Sequence, residues 1–372
     1  MNSPQPADAR AARAVASHAE KRAKRWVWGC TAGCLVVLGA FAAAVFVGFY
    51  LLMQPLRVPP ADTFLTGDVS AFLVVRIDRD DPLMLSVPYS ILAGSDAQNR
   101  MDPERAAVAT RYLRAEHVVR EVAPIQVVCV RLTAQGDAPP AGGAVLSLHK
   151  GSRLLRLGLG RQMEETPRRG QQLSRYEGAR LATAPDGTVI AFKANSFMFS
   201  GSKDLVRRWV DRLGDNGTTG SSVAELPDAL QAGYDLLAPD RPVWGVAGNA
   251  DGELDAFIQH LNVSAGWRDA LLRTGIASPG TLCVAGQMET LDARRARVDA
   301  SILCADESFA SSLAAKLKPV IERVTERTQL DGLQVFPEGP LVRLSAELPD
   351  APAAAGRAAD RLSEYWPAPD AP

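Results

Sequence analysis

The residues of this chain that have chemistry to offer are few, and each has an ordinary structural use. Ser200, Ser202 and Lys203 stand in "SGSK", and a lysine one helical turn from a serine can take its proton and make it a nucleophile. The companion elements of such a site are missing at useful spacing, and both serines suit the start of a helix. Asp78, Asp80 and Asp81 gather in "DRDDP", where hard oxygen ligands would suit Ca²⁺. No glycine marks the bend and no glutamate follows at loop spacing, so these residues read as a turn after a strand rather than as a metal site. His117, His149 and His260 lack a second His, Cys or Glu at zinc spacing. A nucleophile elbow, a Walker loop and a dinucleotide fingerprint are all absent. The expectation is a chain with no catalytic residues, no cofactor and no metal, the three aspartates being the weak candidates for an ion.

The strongest signal is physical. Between Arg25 and Arg57 no residue is charged, and the apolar run Val27 to Met53 would span about 40 Å as a helix. A bilayer core is about 30 Å thick, so the run crosses it with tilt. Val27 and Trp28 at one end, Leu35, Phe41 and Phe46 within, and Phe49, Tyr50 and Met53 at the other end form the expected anchor, with aromatic residues at both interfaces. The small residues Ala42 to Ala44 would suit a peptidase, but nine further apolar residues follow them, so the segment is expected to stay. Gly29 and Gly33 have the spacing that lets two helices approach, which makes a dimer through this segment possible.

Orientation follows from charge. Residues 1–25 carry six basic residues against Asp8 and Glu20, which places them in the cytoplasm and residues 57–372 on the extracytoplasmic side. Residues 58–372 carry 34 basic and 40 acidic side chains, a net charge of −6 that argues against nucleic acid as a partner. Cys129, Cys283 and Cys304 are an odd set, better suited to buried apolar positions than to a disulfide framework.

The elements that would position any site alternate. Periodicity predicts strands at "VSAFLVVRID", "IQVVCVRL", "GAVLSLHK", "QQLSRYEGARLATAP", "GTVIAFKANSFMFSG", "PVWGVAG", "TLCVAGQM", "ARVDASILC", "LQVFP" and "LVRLSAEL". Helices are expected over 103–123, 152–165, 204–213, 226–237, 253–262, 307–327 and in a last segment ending at "DRLSEYW". In "TLCVAGQMETLDARRARVDASILC" the alternation pairs Leu282 with Cys304, Val284 with Ile302, Gly286 with Ala300 and Met288 with Val298, and puts the two cysteines on opposite faces.

The element order recurs on either side of the Gly/Ser/Thr stretch 214–222. The predicted organisation is therefore a cytoplasmic segment 1–25, an anchor 26–53, a tether 54–68, an α+β half 69–213, the linker, a second similar half 223–366 and a tail 367–372. Each half is expected to be mainly antiparallel sheet with helices packed on it, with Cys129 and Cys283 at matching places. The function class this favours is a single-pass bacterial envelope protein whose exported domain binds or scaffolds an unidentified envelope protein or ligand. An envelope hydrolase with an unrecognised site, or a sensor acting through the anchor, are the competing classes.

Overall fold

The computed structural model describes residues 55–87, 116–133, 142–150, 172–185, 187–213, 225–249, 252–260, 265–328 and 331–354. The expected anchor, the linker 214–222, the helix 152–165 and the last helix ending at "DRLSEYW" lie outside these. Among the described residues no helix is long and apolar enough to cross a membrane.

Among the described residues twelve strands form one antiparallel sheet: β1 Val69–Ile77, β2 Ile125–Leu132, β3 Gly142–Leu148, β4 Gln172–Tyr176, β5 Ala179–Thr183, β6 Val189–Lys193, β7 Ser196–Ser200, β8 Val243–Gly248, β9 Thr281–Thr290, β10 Ala296–Cys304, β11 Asp331–Glu338 and β12 Leu341–Leu348. Helices are α1 Glu116–Val122, α2 Lys203–Arg212, α3 Asp228–Tyr234, α4 Glu253–His260, α5 Ala265–Thr274 and α6 Glu307–Thr328, preceded by a 3₁₀ turn at Ala61–Phe64. The class is α+β, as the mixture of hairpins and helices predicts.

The sheet is organised outward from its middle. β1 pairs with β8 through Phe72–Val246, Leu73–Gly245 and Val74–Trp244. On one side the order runs β1-β2-β3-β7-β6, then β5-β4; on the other it runs β8-β9-β10-β12-β11. The central strand β2, rich in β-branched residues, buries one face and half-buries the other, whereas β11 at one edge is largely exposed.

Side chains alternate across the sheet, so the registers sort residues onto two faces. The first face carries Phe72, Val74, Val128, Val130, Val145, Ala191 and Met198, and α2, α3 and the 3₁₀ turn cover it. α2 owes its place to capping and patterning. Ser202 Oγ accepts from the Leu205 amide at 3.3 Å, while Leu205, Val206, Trp209 and Val210 form its buried stripe. Trp209 is fully buried, donates from Nε1 to the Phe64 carbonyl at 2.8 Å, and meets the Phe64 ring edge-on with centroids 6.4 Å apart. Gly143 makes this approach possible: a Cβ there would sit 2.7 Å from the Trp209 ring. Arg208 and Thr66 both bond Asp68 at 2.6 Å, tying α2 to the start of β1. Burial pushes the Asp68 carboxyl up, and the bonds from Thr66 and Arg208 outweigh it and hold it below the ordinary value.

On the opposite face α6 lays Ala310, Leu313, Ala314 and Leu317 over Ile302, Cys304 and Val342. The spacing of Phe309, Leu313, Leu317, Val320 and Val324 predicts an apolar stripe on this helix; Leu313 and Leu317 are buried, Phe309 packs beside them, and Ala310, Ala314 and Ile321 complete the packed side. The helical residues 82–87 and α1 cover Ile77 on the same face.

Several elements differ from expectation. Residues 55–68 are part of the fold. Leu56 donates its amide to the His149 carbonyl at 2.7 Å, Asn195 donates to the Arg57 carbonyl at 3.1 Å, Gln126 donates to the Pro59 carbonyl at 2.9 Å, and Phe64 and Leu65 are buried. The prolines forbid regular helix there, and buried side-chain amides bond the extended backbone instead. "QQLSRYEGARLATAP" and "GTVIAFKANSFMFSG" are each a hairpin, turning at Glu177-Gly178 and at Ala194, where the backbone is left-handed. α5 has no counterpart among the expected helices.

The β9–β10 hairpin keeps the expected pairs Val284–Ile302, Gly286–Ala300 and Met288–Val298, but a bulge pairs Cys304 with Thr281. In its turn the Arg294 amide and the Arg295 side chain pull the Asp292 carboxyl down to about 2. Cys283 and Cys304 are free thiols in separate core clusters on opposite faces. Cys129 shares the face of Leu73, whereas Cys283 shares the face of Ala285; the position that corresponds to Cys129 about the sheet centre is Gly286.

Two outcomes follow. Trp209→Ala is expected to cost about 3–5 kcal/mol, read as a fall in the denaturation midpoint. Burial pushes Cys283 and Cys304 up to about 11. An unfolded thiol titrates near 8.5, so stability from these buried thiols is intact below about that pH and is lost as pH rises toward 11. Alkylation of the native protein at pH 8.5 with peptide mapping should leave both unlabelled, and the denaturation midpoint should fall between pH 8.5 and 10.5.

Candidate functional site

The first face changes character between the two arms of the sheet. In the arm beginning at β2, two rows run straight across four strands: Val130, Gly143, Ser200, Val189 and, two residues along, Val128, Val145, Met198, Ala191. Both lie beneath α2. In the arm beginning at β9 the rows at the corresponding places are Gln287, Asp299, Ser345, Gln334 and Ala285, Ser301, Arg343, Phe336. Correspondence follows from the two-fold relation of the antiparallel centre, which carries Phe72 onto Trp244 and Val74 onto Val246. Val130, opposite Phe72, then corresponds to Gln287, opposite Trp244, and Val128, opposite Val74, to Ala285, opposite Val246. Val145 is thus replaced by Ser301, Met198 by Arg343 and Gly143 by Asp299, while Ser200 and Ser345 are alike.

A face of valine and methionine requires a cover; a face of Gln, Asp, Ser and Arg requires water or a polar ligand. Among the described residues no helix lies over this second floor in the way α2 lies over the first. After β12 the chain turns to the opposite face, where Ala351 packs with Leu83 and Ala296. What remains is a cleft of about 180 Å³, walled by Leu236 and Leu237 beyond α3 and floored by Gln287, Asp299, Ser301, Arg343 and Ser345.

Its side chains are set by short bonds. Ser345 Oγ donates to Asp299 Oδ1 at 2.7 Å. Gln287 Oε1 accepts the Ala238 amide at 2.9 Å, which fixes the side chain and turns its amide nitrogen into a donor for whatever fills the cleft. Arg343 Nε pairs with Glu338, so the guanidinium lies along the floor. Phe336 stands on the edge strand beside it with 42% of its surface exposed. A further row is ionic: Arg241 meets Glu289 at 2.5 Å, and Arg297 lies 3.6 Å from Glu347.

The residues singled out from the sequence lie elsewhere: Ser200, Ser202, Asp78 and Asp81 are bonded within the fold, and Asp80 is exposed. Ser200 Oγ donates to the Gly142 carbonyl at 2.7 Å and accepts from the Ser202 amide at 2.9 Å, beneath α2, while Lys203 is exposed. Asp78 pairs with Arg76 at 2.9 Å, and Asp81 accepts from the Met84 amide at 3.0 Å and from Thr290 at 2.7 Å. Among the described residues no group of three His, Cys, Asp or Glu side chains could hold a metal ion. His149 Nδ1 lies 2.8 Å from the Leu56 carbonyl.

The cleft residues were not singled out because polar alternation in "ARVDASILC" and "LVRLSAEL" is what any solvated strand face shows. The fold defines an α+β protein on a single twelve-stranded antiparallel sheet with a polar cleft over one arm. No family model, curated protein or solved structure matches the chain.

The two floors answer opposite substitutions. Val145→Asp is expected to destabilise by about 3 kcal/mol or more, because an unpaired carboxylate would be buried. Asp299→Val should change stability by less than about 1 kcal/mol. Denaturant midpoints of the two variants measure the difference, and equal losses would contradict the contrast.

Proposed function

We propose that the chain is a single-pass envelope protein whose extracytoplasmic α+β domain binds a ligand or scaffolds a partner, with the cleft over β9, β10, β12 and β11 as its binding surface. The observation that carries this is the divergence of two corresponding floors, one apolar and filled by α2, the other polar and open. A floor that served only stability would keep its valines. The recurrence of strand order on either side of β1–β8 supports an origin by duplication, one copy retaining the core and the other turning the same surface to recognition. Duplicated arms that pack on one sheet need no chemistry of their own, and Ser200, Ser202, Asp78 and Asp81 are bonded within the fold.

The anchor rests on residues 26–53: apolar over the length of a bilayer, flanked by basic residues on the N-terminal side and by aromatic residues at both ends. Residues 1–25 would be cytoplasmic, residues 57–372 extracytoplasmic, and Gly29 and Gly33 the contact of an anchor-mediated dimer.

Two measurements test the reading in whole cells. The protein should stay with membranes through a carbonate wash and keep its N-terminal residues; release, or a mature chain beginning near position 45, would contradict the anchor. A photo-crosslinking residue at Gln334 should yield a retarded adduct, and one at Lys203 on α2 should not. Absence of an adduct at Gln334 would contradict the cleft.

A further inference from the structure

The lining of the cleft specifies the chemistry of its occupant. We infer, resting on the reading of the cleft as a binding surface, that the ligand is a neutral, hydroxyl-rich chain: a glycan laid across the floor.

Charge excludes the alternatives at one end. Around the floor stand five carboxylates, Asp299, Glu289, Glu338, Glu347 and Asp331, against three guanidiniums, Arg241, Arg297 and Arg343. Those guanidiniums are already paired with carboxylates, so a phosphate or an acidic polymer meets net repulsion. An apolar ligand fares no better, since Gln287, Asp299, Ser301 and Ser345 would lose water without replacement.

What the floor does offer is donors and acceptors side by side. The Gln287 amide nitrogen and the Arg343 guanidinium donate, the second oxygen of Asp299 accepts, and the hydroxyls of Ser301 and Ser345 do either. A sugar hydroxyl donates and accepts at once, so planar carboxylate, amide and guanidinium groups recognise it in pairs. Beside them stands an aromatic ring that no fold requirement explains. Phe336 lies on edge strand β11, opposite Arg343 and exposed, and an exposed ring suits the apolar C–H face of a pyranose. Rows crossing four strands extend roughly 15 Å, since strands lie about 4.8 Å apart, long enough for more than one sugar ring.

The test uses the full-length protein in detergent micelles and saturation-transfer NMR. The probes are cellobiose, maltose and N,N′-diacetylchitobiose, with trialanine and inorganic phosphate as the other classes. At least one disaccharide should receive saturation at its ring protons. Phe336→Ala should weaken that binding about tenfold, and Asp299→Ala about tenfold or more. Asp204→Ala on α2 should leave it unchanged. Phe336 and Asp299 are not core residues, so unchanged melting curves will show that both variants fold. Binding of trialanine or phosphate without any disaccharide would overturn the glycan assignment while leaving the cleft as a ligand surface. Disaccharide binding that is indifferent to Phe336→Ala and Asp299→Ala would overturn it too. No probe bound, together with no adduct from Gln334 in cells, would remove the cleft itself.

Discussion

The pairing of β1 with β8 holds the molecule together. It joins the strands that lead the chain's two long arms, and it passes through Leu73 and Gly245. A Cβ at Gly245 would collide with the Phe72 carbonyl, so the two backbones meet where only glycine fits. The aromatic group Phe72, Tyr234 and Trp244 packs beside this seam, with Phe72 and Trp244 edge-to-face at 5.7 Å. Because the pair is antiparallel, each arm leaves it in the opposite direction while keeping the same face toward α2 and α3. Corresponding residues on the two arms therefore share a face, and any difference between them reports a difference in what the face is for.

Energetics separates the two floors. Burying valine, methionine and tryptophan under α2 is worth about 25 cal/mol for each Å² removed from water, and the Trp209–Phe64 hydrogen bond spends no buried polar group unpaired. On the other arm, among the described residues, β10 and β12 take their apolar cover on the opposite face, from α6 and from Leu83 and Ala351. Its first face is held by ion pairs that remain in water and add little stability each. An arm needs one well-packed face to stay folded; the other is then open to selection for binding.

Much of this fold is legible in the sequence. The limits of β2, β10 and β12 follow from their alternation, α2 from the Ser202 cap and its apolar stripe, and α6 from the spacing of Phe309, Leu313 and Leu317. Local signals failed where distant residues decide the outcome. Residues 55–68 look like a tether because their partners, Gln126, His149 and Asn195, lie far along the chain. The bulge at Cys304 depends on how β10 meets β9, which the apolar pattern does not record. The cleft was illegible for a related reason. Asp299 and Ser345, or Ser301 and Arg343, become neighbours only through the β10–β12 register, and only comparison of Ser301 and Arg343 with Val145 and Met198 shows that polarity there is a departure.

Amide hydrogen exchange of the full-length protein tests most directly whether both arms hang on the central pair. If they do, the amides of β1, β2, β8 and β9 open together, at one free energy that is the highest in the molecule. Exchange in two independent blocks, one ending before residue 214 and the other beginning after 222, would contradict it, because each arm would then fold without the seam at Leu73 and Gly245.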